Sequence, residues 1–72
     1  MIQDKRFGPD RVAPPPADAN DAERLEAALA KAEQYRDAGY TRSVAAEAAA
    51  LWADIGHRAD DLYLRLKAEE SA

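Results

Sequence analysis

Residues 44 to 53 read Val-Ala-Ala-Glu-Ala-Ala-Ala-Leu-Trp-Ala, and no other stretch limits this chain as tightly. Alanine is the strongest helix former, so the segment is expected to be helical. With alanine on almost every side it is also apolar nearly all round, and such a helix is expected to be surrounded by other helices. Alanine, however, buries little surface. A quarter of the 72 residues are Ala, so a hydrophobic content of 47% overstates the available core. The large apolar side chains from residue 20 onward are Leu25, Leu29, Tyr35, Tyr40, Val44, Leu51, Trp52, Ile55, Leu62, Tyr63, Leu64 and Leu66, each contributing about 1.5 to 3 kcal/mol if fully buried. Set against about 1.5 kcal/mol of conformational entropy per ordered residue, that inventory makes a lone domain marginal. Small chains without cysteine usually gain stability by oligomerising or by docking on a partner.

The pattern predicts an all-α chain with two helices. The first runs over 20–38: Asn20 is an N-cap, Glu23 three residues on completes a capping box, and Asp21 and Glu23 favour the positive helix end. Leu25, Leu29, Ala32 and Tyr35 or Arg36 form its apolar stripe. Gly39 ends it and Thr41 is an N-cap for the next, so the short connection folds the two helices into an antiparallel hairpin. The second helix is expected over 41–69, with Val44, Ala48, Leu51, Ile55, Ala59, Leu62 and Leu66 in one narrow sector and Trp52 and Tyr63 flanking it. Leu51 and Ile55 stand at the centre of that stripe. Gly56 interrupts the segment, and a glycine inside a helix costs about 0.5 to 1 kcal/mol relative to alanine. Because the apolar sector keeps its phase across Gly56, one continuous helix with a bend there is the reading adopted. The other is a true break, with a third helix from about Arg58.

Ala46, Ala49, Ala50 and Ala53 lie roughly opposite the main stripe, with Leu64 further along the same side. Small side chains let helix axes approach closely. A second hairpin crossing this face would close a homodimeric four-helix bundle.

Residues 1–19 have a different character. They hold all four prolines, Gly8 and mixed charges with no hydrophobic period, and read as a disordered arm preceding the domain of residues 20–72. Pro14-Pro15-Pro16 favours a stiff extended spacer. Ile2, Phe7 and Val12 are costly side chains to leave in a plain spacer, which makes Phe7 and Val12 the anchors of a short docking motif.

No catalytic constellation is present. Ser43 and Ser71 have no patterned His, there is no Gly-rich phosphate loop, and Glu23, Glu26 and Glu33 read as capping and surface residues. Without Cys there is no disulfide framework and no thiolate-based zinc site. On a continuous helix Asp54, His57 and Asp61 would share a face, but one His with carboxylates on an exposed helix reads as a solvated polar surface, with Arg58 and Arg65 pairing the acids, and no metal or other cofactor is expected. Tyr35, Tyr40 and Trp52 are placed together at the turn end of the hairpin, Tyr40 plugging the loop and Trp52 anchoring an interface.

Gly39-Tyr40-Thr41-Arg42-Ser43 before an Ala-rich helix has a superficial likeness to a DNA-recognition element, yet beyond Arg42 the exposed face holds only Ala and Glu47. A net charge of −4 also disfavours nucleic acid and anionic membranes. No apolar run suggests a secretory signal or a membrane span, so a cytoplasmic location is expected. The functional expectation is a small non-enzymatic interaction or regulatory subunit, self-associating or bound to another protein. Its core or interface residues would be Leu51, Trp52, Ile55, Leu62, Tyr63 and Leu66, and its second face Ala46, Ala50, Ala53 and Leu64. The competing readings are a small DNA-associated regulator and a minimal helical ligand or metal binder.

Overall fold

The computed structural model describes residues 14–72. Three helices pack together: α1 (Asp21–Asp37), α2 (Arg42–Trp52) and α3 (Ala59–Ser71), the last entered through a single 3-10 turn, Gly56–Arg58. No described segment is a strand, and no described helix is long and apolar enough to cross a membrane.

The start of α1 follows from its cap. The Glu23 amide donates to Asn20 Oδ1 at 2.8 Å and the Asn20 amide donates to Glu23 Oε1 at 3.0 Å, so two otherwise unpaired donors are satisfied at once. At the other end Gly39 takes φ +105°, the Gly39 amide donates to the Arg36 carbonyl and the Tyr40 amide to the Tyr35 carbonyl. This double closure satisfies two C-terminal carbonyls and needs a left-handed residue at its centre, which glycine adopts without strain. Thr41 then caps α2, its Oγ1 accepting from the Val44 amide at 3.2 Å.

The second helix does not continue to residue 69. It stops at Trp52, and the reason lies two residues beyond it. Asp54 adopts φ +62°, its amide donates to the Leu51 carbonyl, and the Ile55 amide donates to the Ala50 carbonyl at 2.8 Å. This is the same closure that ends α1, with aspartate in the position glycine holds there. Aspartate is among the few residues that tolerate the left-handed region. Closing the helix this way turns Ile55 back over its end, where the side chain is fully buried. The apolar phase survives across Gly56 because Ile55 is retained in the core through a turn instead of a helical repeat. Gly56 itself lies under Leu51: a Cβ there would meet Leu51 Cδ2 at 2.9 Å.

The larger correction concerns which side of α2 faces inward. Ala45, Ala46, Ala49, Ala50 and Ala53 are fully buried, meeting Ala28 and Ala32 of α1 together with Leu25, Ile55, Leu62 and Leu66 in one core. Val44 and Leu51, both placed by the sequence reading in the apolar stripe and Leu51 at its centre, are 49% and 67% exposed. The face reserved for a second hairpin is thus occupied by α1 and α3 of the same chain. The four-helix arrangement expected across that face loses its basis. An alanine surface permits close approach of two neighbours at once, whereas a Leu-lined surface would hold them apart.

Residues 14–19, assigned by the sequence reading to a disordered arm, form a turn held in place. The Ala19 amide donates to the Pro16 carbonyl at 3.0 Å. Arg24 then donates from Nε to the Ala19 carbonyl, from Nη2 to Ala17 and from Nη1 to Ala53, joining this turn to the end of α2. Phe7 and Val12, the anchors of the expected docking motif, lie outside the described residues.

Two substitutions separate this packing from the one read off the sequence. Ala50→Glu places an unpaired carboxylate at a buried helix contact and is expected to unfold the domain, while Leu51→Ala is expected to cost less than about 1 kcal/mol because its side chain is largely in water. Urea melts followed by circular dichroism read both; a Leu51→Ala penalty above that of Ala50→Glu would contradict the inward alanine face. Asp54→Gly removes a non-glycine residue from the left-handed region and is expected to stabilise by about 0.5 to 1 kcal/mol in the same melts.

Candidate functional site

The outward side of α2 carries Val44, Ala48 and Leu51 at spacings of four and three, so the three share one face. Ala48 is half-buried between its larger, exposed neighbours. Tyr40 in the preceding loop is exposed as well. On the side facing α1, Trp52 is half-buried and covers Lys31, whose ammonium lies 5.1 Å from the Trp52 ring centroid and 5.4 Å from that of Tyr35. Lys31 is only 6% exposed, a placement its charge did not suggest. Contact with two aromatic faces offsets part of the loss of hydration. Tyr35 meets Tyr40 edge to face, with centroids 5.8 Å apart and planes at 87°. Of the aromatic trio expected at the turn end, Tyr35 and Tyr40 meet there, whereas Trp52 ends α2 away from the turn and is linked to Tyr35 only through Lys31.

On the side facing α3, a cleft of about 300 Å³ lies between Ser43, Ala46 and Glu47 of α2 and Ala59, Asp60 and Tyr63 of α3. It is open and shallow, and holds no nucleophile paired with a base. Tyr63 is half-buried beneath Arg42, whose guanidinium carbon lies 5.9 Å from the ring centroid. Leu62 and Leu66 are fully buried, as expected of core residues, and Leu64 is 60% exposed on α3, separated from the alanines with which it was grouped.

Charged residues close the two ends of the domain. At the turn end, Arg36 donates from Nε to Glu70 Oε2 at 2.8 Å and from Nη2 to Oε1 at 3.0 Å, and Arg42 donates to the same Oε1 from Nη2 at 3.0 Å. Arg36 also donates to the Tyr40 carbonyl at 2.8 Å. The Arg36 hydrogen bonds, with those of Arg42, hold the Glu70 carboxyl down at about 2. One residue earlier in the chain the environment is opposite in kind. Glu33 of α1 shares a hydrogen bond with Glu69, is partly desolvated and feels the charges of Glu69 and Asp37, which together push its carboxyl up to about 7. At the other end, Asp61 accepts from Arg58 at 2.6 Å and lies 3.6 Å from Arg65, the pairing expected from helical spacing. His57 Nε2 lies 3.5 Å from Asp21. Asp54 sits in the turn and Asp61 in α3, so the three residues considered for a metal do not share a helix. Among the described residues no group of three metal-ligating side chains converges.

These contacts bear on the remaining readings. Arg42, the basic residue of the DNA-like segment, is committed to Glu70 and Tyr63, and the exposed polar residues beside it are Thr41, Ser43 and Glu47. Sequence reasoning missed the Glu33 and Glu69 pair, the Arg36, Glu70 and Arg42 network and the threefold role of Arg24. Each joins residues far apart in the chain, and the sequence carried no local signal for them. No protein-family model, curated protein or solved structure matches this chain.

Glu33 of α1 and Glu70 of α3 predict a pH profile with a defined sign. Between pH 4.5, the ordinary value, and about 7, folded Glu33 retains a proton that the unfolded chain has released, so stability falls as pH rises through that window. Below 4.5 the ion-paired Glu70 loses its contribution as pH falls toward about 2. Urea midpoints measured across pH should therefore decline from about pH 4.5 to 7, and Glu33→Gln should flatten that decline.

Proposed function

We propose that this chain is a small non-enzymatic protein-interaction module that makes contact through the outward face of α2. The supporting observation is the reversal of side-chain size on that helix. Its small residues fill the core, while Val44 and Leu51 are left half or more in water beside Ala48 and Tyr40. Single exposed apolar residues need no explanation, but two on one helical face, in a chain with so few large apolar side chains, form a contiguous surface that a partner can cover. Trp52 sits at the edge of this surface, its ring held by Lys31 and so ready as a rigid contact. Helix-in-groove association uses side chains at this spacing.

Self-association remains within the reading, but through Val44 and Leu51 instead of the buried alanines. A Cys-free, acidic chain suits a reducing compartment, and we assign the module to the cytoplasm.

Leu51→Glu is the test. It should leave helicity intact and change stability by less than about 0.5 kcal/mol, as for most surface substitutions. It should also abolish both concentration-dependent mass in sedimentation and capture of the binding partner identified by pull-down with the unaltered chain. An intact Leu51→Glu domain that still associates would refute the assignment of this face.

A further inference from the structure

The cleft between α2 and α3 borders the exposed strip of α2 directly. Glu47 follows Val44 by three residues and precedes Leu51 by four, so the three stand side by side on the helix. Glu47 also lines the cleft, which it shares with Asp60 of α3. Both residues are exposed, and among the described residues neither has a hydrogen bond or an ion pair. The rest of the lining is mainly Ala46, Ala59 and Tyr63.

The cations of α2 and α3 are engaged elsewhere or stand apart from this cleft. Arg42 is bound to Glu70 and lies over Tyr63, and Arg58 and Arg65 pair with Asp61. Lys67 does not line the cleft and stands about 10 Å beyond Asp60 along α3. Two unpaired negative charges facing one cleft repel each other and attract a cation placed between them. The alanine and aromatic lining beside them suits the aliphatic stem of a lysine or arginine, whose charged end then meets the carboxylates. Ligand pockets run from about 300 to 1,000 Å³. At about 300 Å³ this cleft is at the small end, and its openness admits one long side chain from a partner lying on the surface.

We infer, resting on the reading of the outward face of α2 as a contact surface, that its occupant is a helix of another protein with a lysine or arginine beside its apolar residues. The apolar residues cover Val44, Ala48 and Leu51. The cationic side chain passes Glu47 into the cleft, where its stem lies on Ala46, Ala59 and Tyr63 and its charged end donates to Glu47 and Asp60. A second copy of this chain fits the same surface poorly. Antiparallel pairing of Val44 with Leu51 of the other copy centres the contact beside residue 47 and brings the two Glu47 side chains together, a like-charge contact. Such a copy also brings no spare cation on α2, because Arg42 is the only one that helix carries and Glu70 already holds it.

Two synthetic helical peptides provide the test. Each carries leucines at spacings of three and four on a background of alanine and glutamine. One has a single lysine beside the leucine row, and the other has norleucine there, which keeps the stem without the charge. Titrated into the isotope-labelled chain, the lysine peptide should bind about tenfold more tightly than its control, as for a hydrogen bond to a charged group. It should shift the amide signals of Val44 to Leu51 together with those of Ala59 to Tyr63. Glu47→Gln combined with Asp60→Asn alters two exposed residues, and should leave helicity unchanged while removing the preference for lysine. Equal binding of the two peptides on Val44 to Leu51, or a preference that survives the double substitution, would overturn the inference and leave the contact face standing. Failure of both peptides to bind there would overturn both. A dimer in sedimentation of the unaltered chain that is lost in Leu51→Glu would place a second copy on the face, and would overturn the inference alone.

Discussion

Everything in this domain depends on α2 being narrow. Two helices can lie against one helix of eleven residues only if the side chains between them take almost no room, and four alanines on the inward side of α2, with Ala53 at its C-cap, meet that condition. The larger core residues are consequently placed at the margins of the contact. Leu25 comes from α1, Leu62 and Leu66 come from α3, and Ile55 comes from the turn between α2 and α3. A Leu at position 50 or 53 would overfill a close contact. The cost of the arrangement is that α2 has no inward place for its own large side chains, and Val44 and Leu51 stand on the outside. The exposed face and the compact interior have one cause.

That cause also explains what could be read from the sequence. The ends of α1, the start of α2 and the turn at Gly39 were legible because each depends on residues within four positions of one another, through a capping box, a threonine cap and a left-handed glycine. The orientation of α2 was not legible. Ranking residues by apolar size puts Leu51 inside and Ala50 outside, whereas the interior is decided by how near two neighbouring helices come, and that distance is not a property of α2 alone. A break with a third helix from about Arg58 was the second reading of the sequence, but its position directly after Trp52 was hidden for a different reason. Glycine advertises a left-handed position and aspartate does not, so Gly56 drew attention while Asp54 ended the helix two residues earlier.

Electrostatics divide along the same line. Asp61 with Arg58 and Arg65 follows helical spacing and was foreseen, while Glu70 between Arg36 and Arg42 joins the last turn of α3 to the end of α1 and the start of α2 across 28 or more residues. Glu69 and Glu70 are adjacent, yet one shares a hydrogen bond with a carboxyl of α1 and the other accepts from two guanidinium groups. The C-terminal turn of α3 is thus held by an attraction and strained by a neighbouring repulsion, and pH sets the balance between them.

The guanidinium of Arg24 accepts a consequence beyond the static contacts it makes. Three carbonyls, from Ala17, Ala19 and Ala53, converge on one side chain, so the approach to α1 and the exit from α2 share a single fastening. Segments joined in this way open and close as one cooperative unit in native-state hydrogen exchange. A fluctuation that releases the end of α2, and with it the turn that buries Ile55, also frees the chain ahead of α1. The two loops at that end are therefore one dynamic element, although 29 residues separate Arg24 from Ala53.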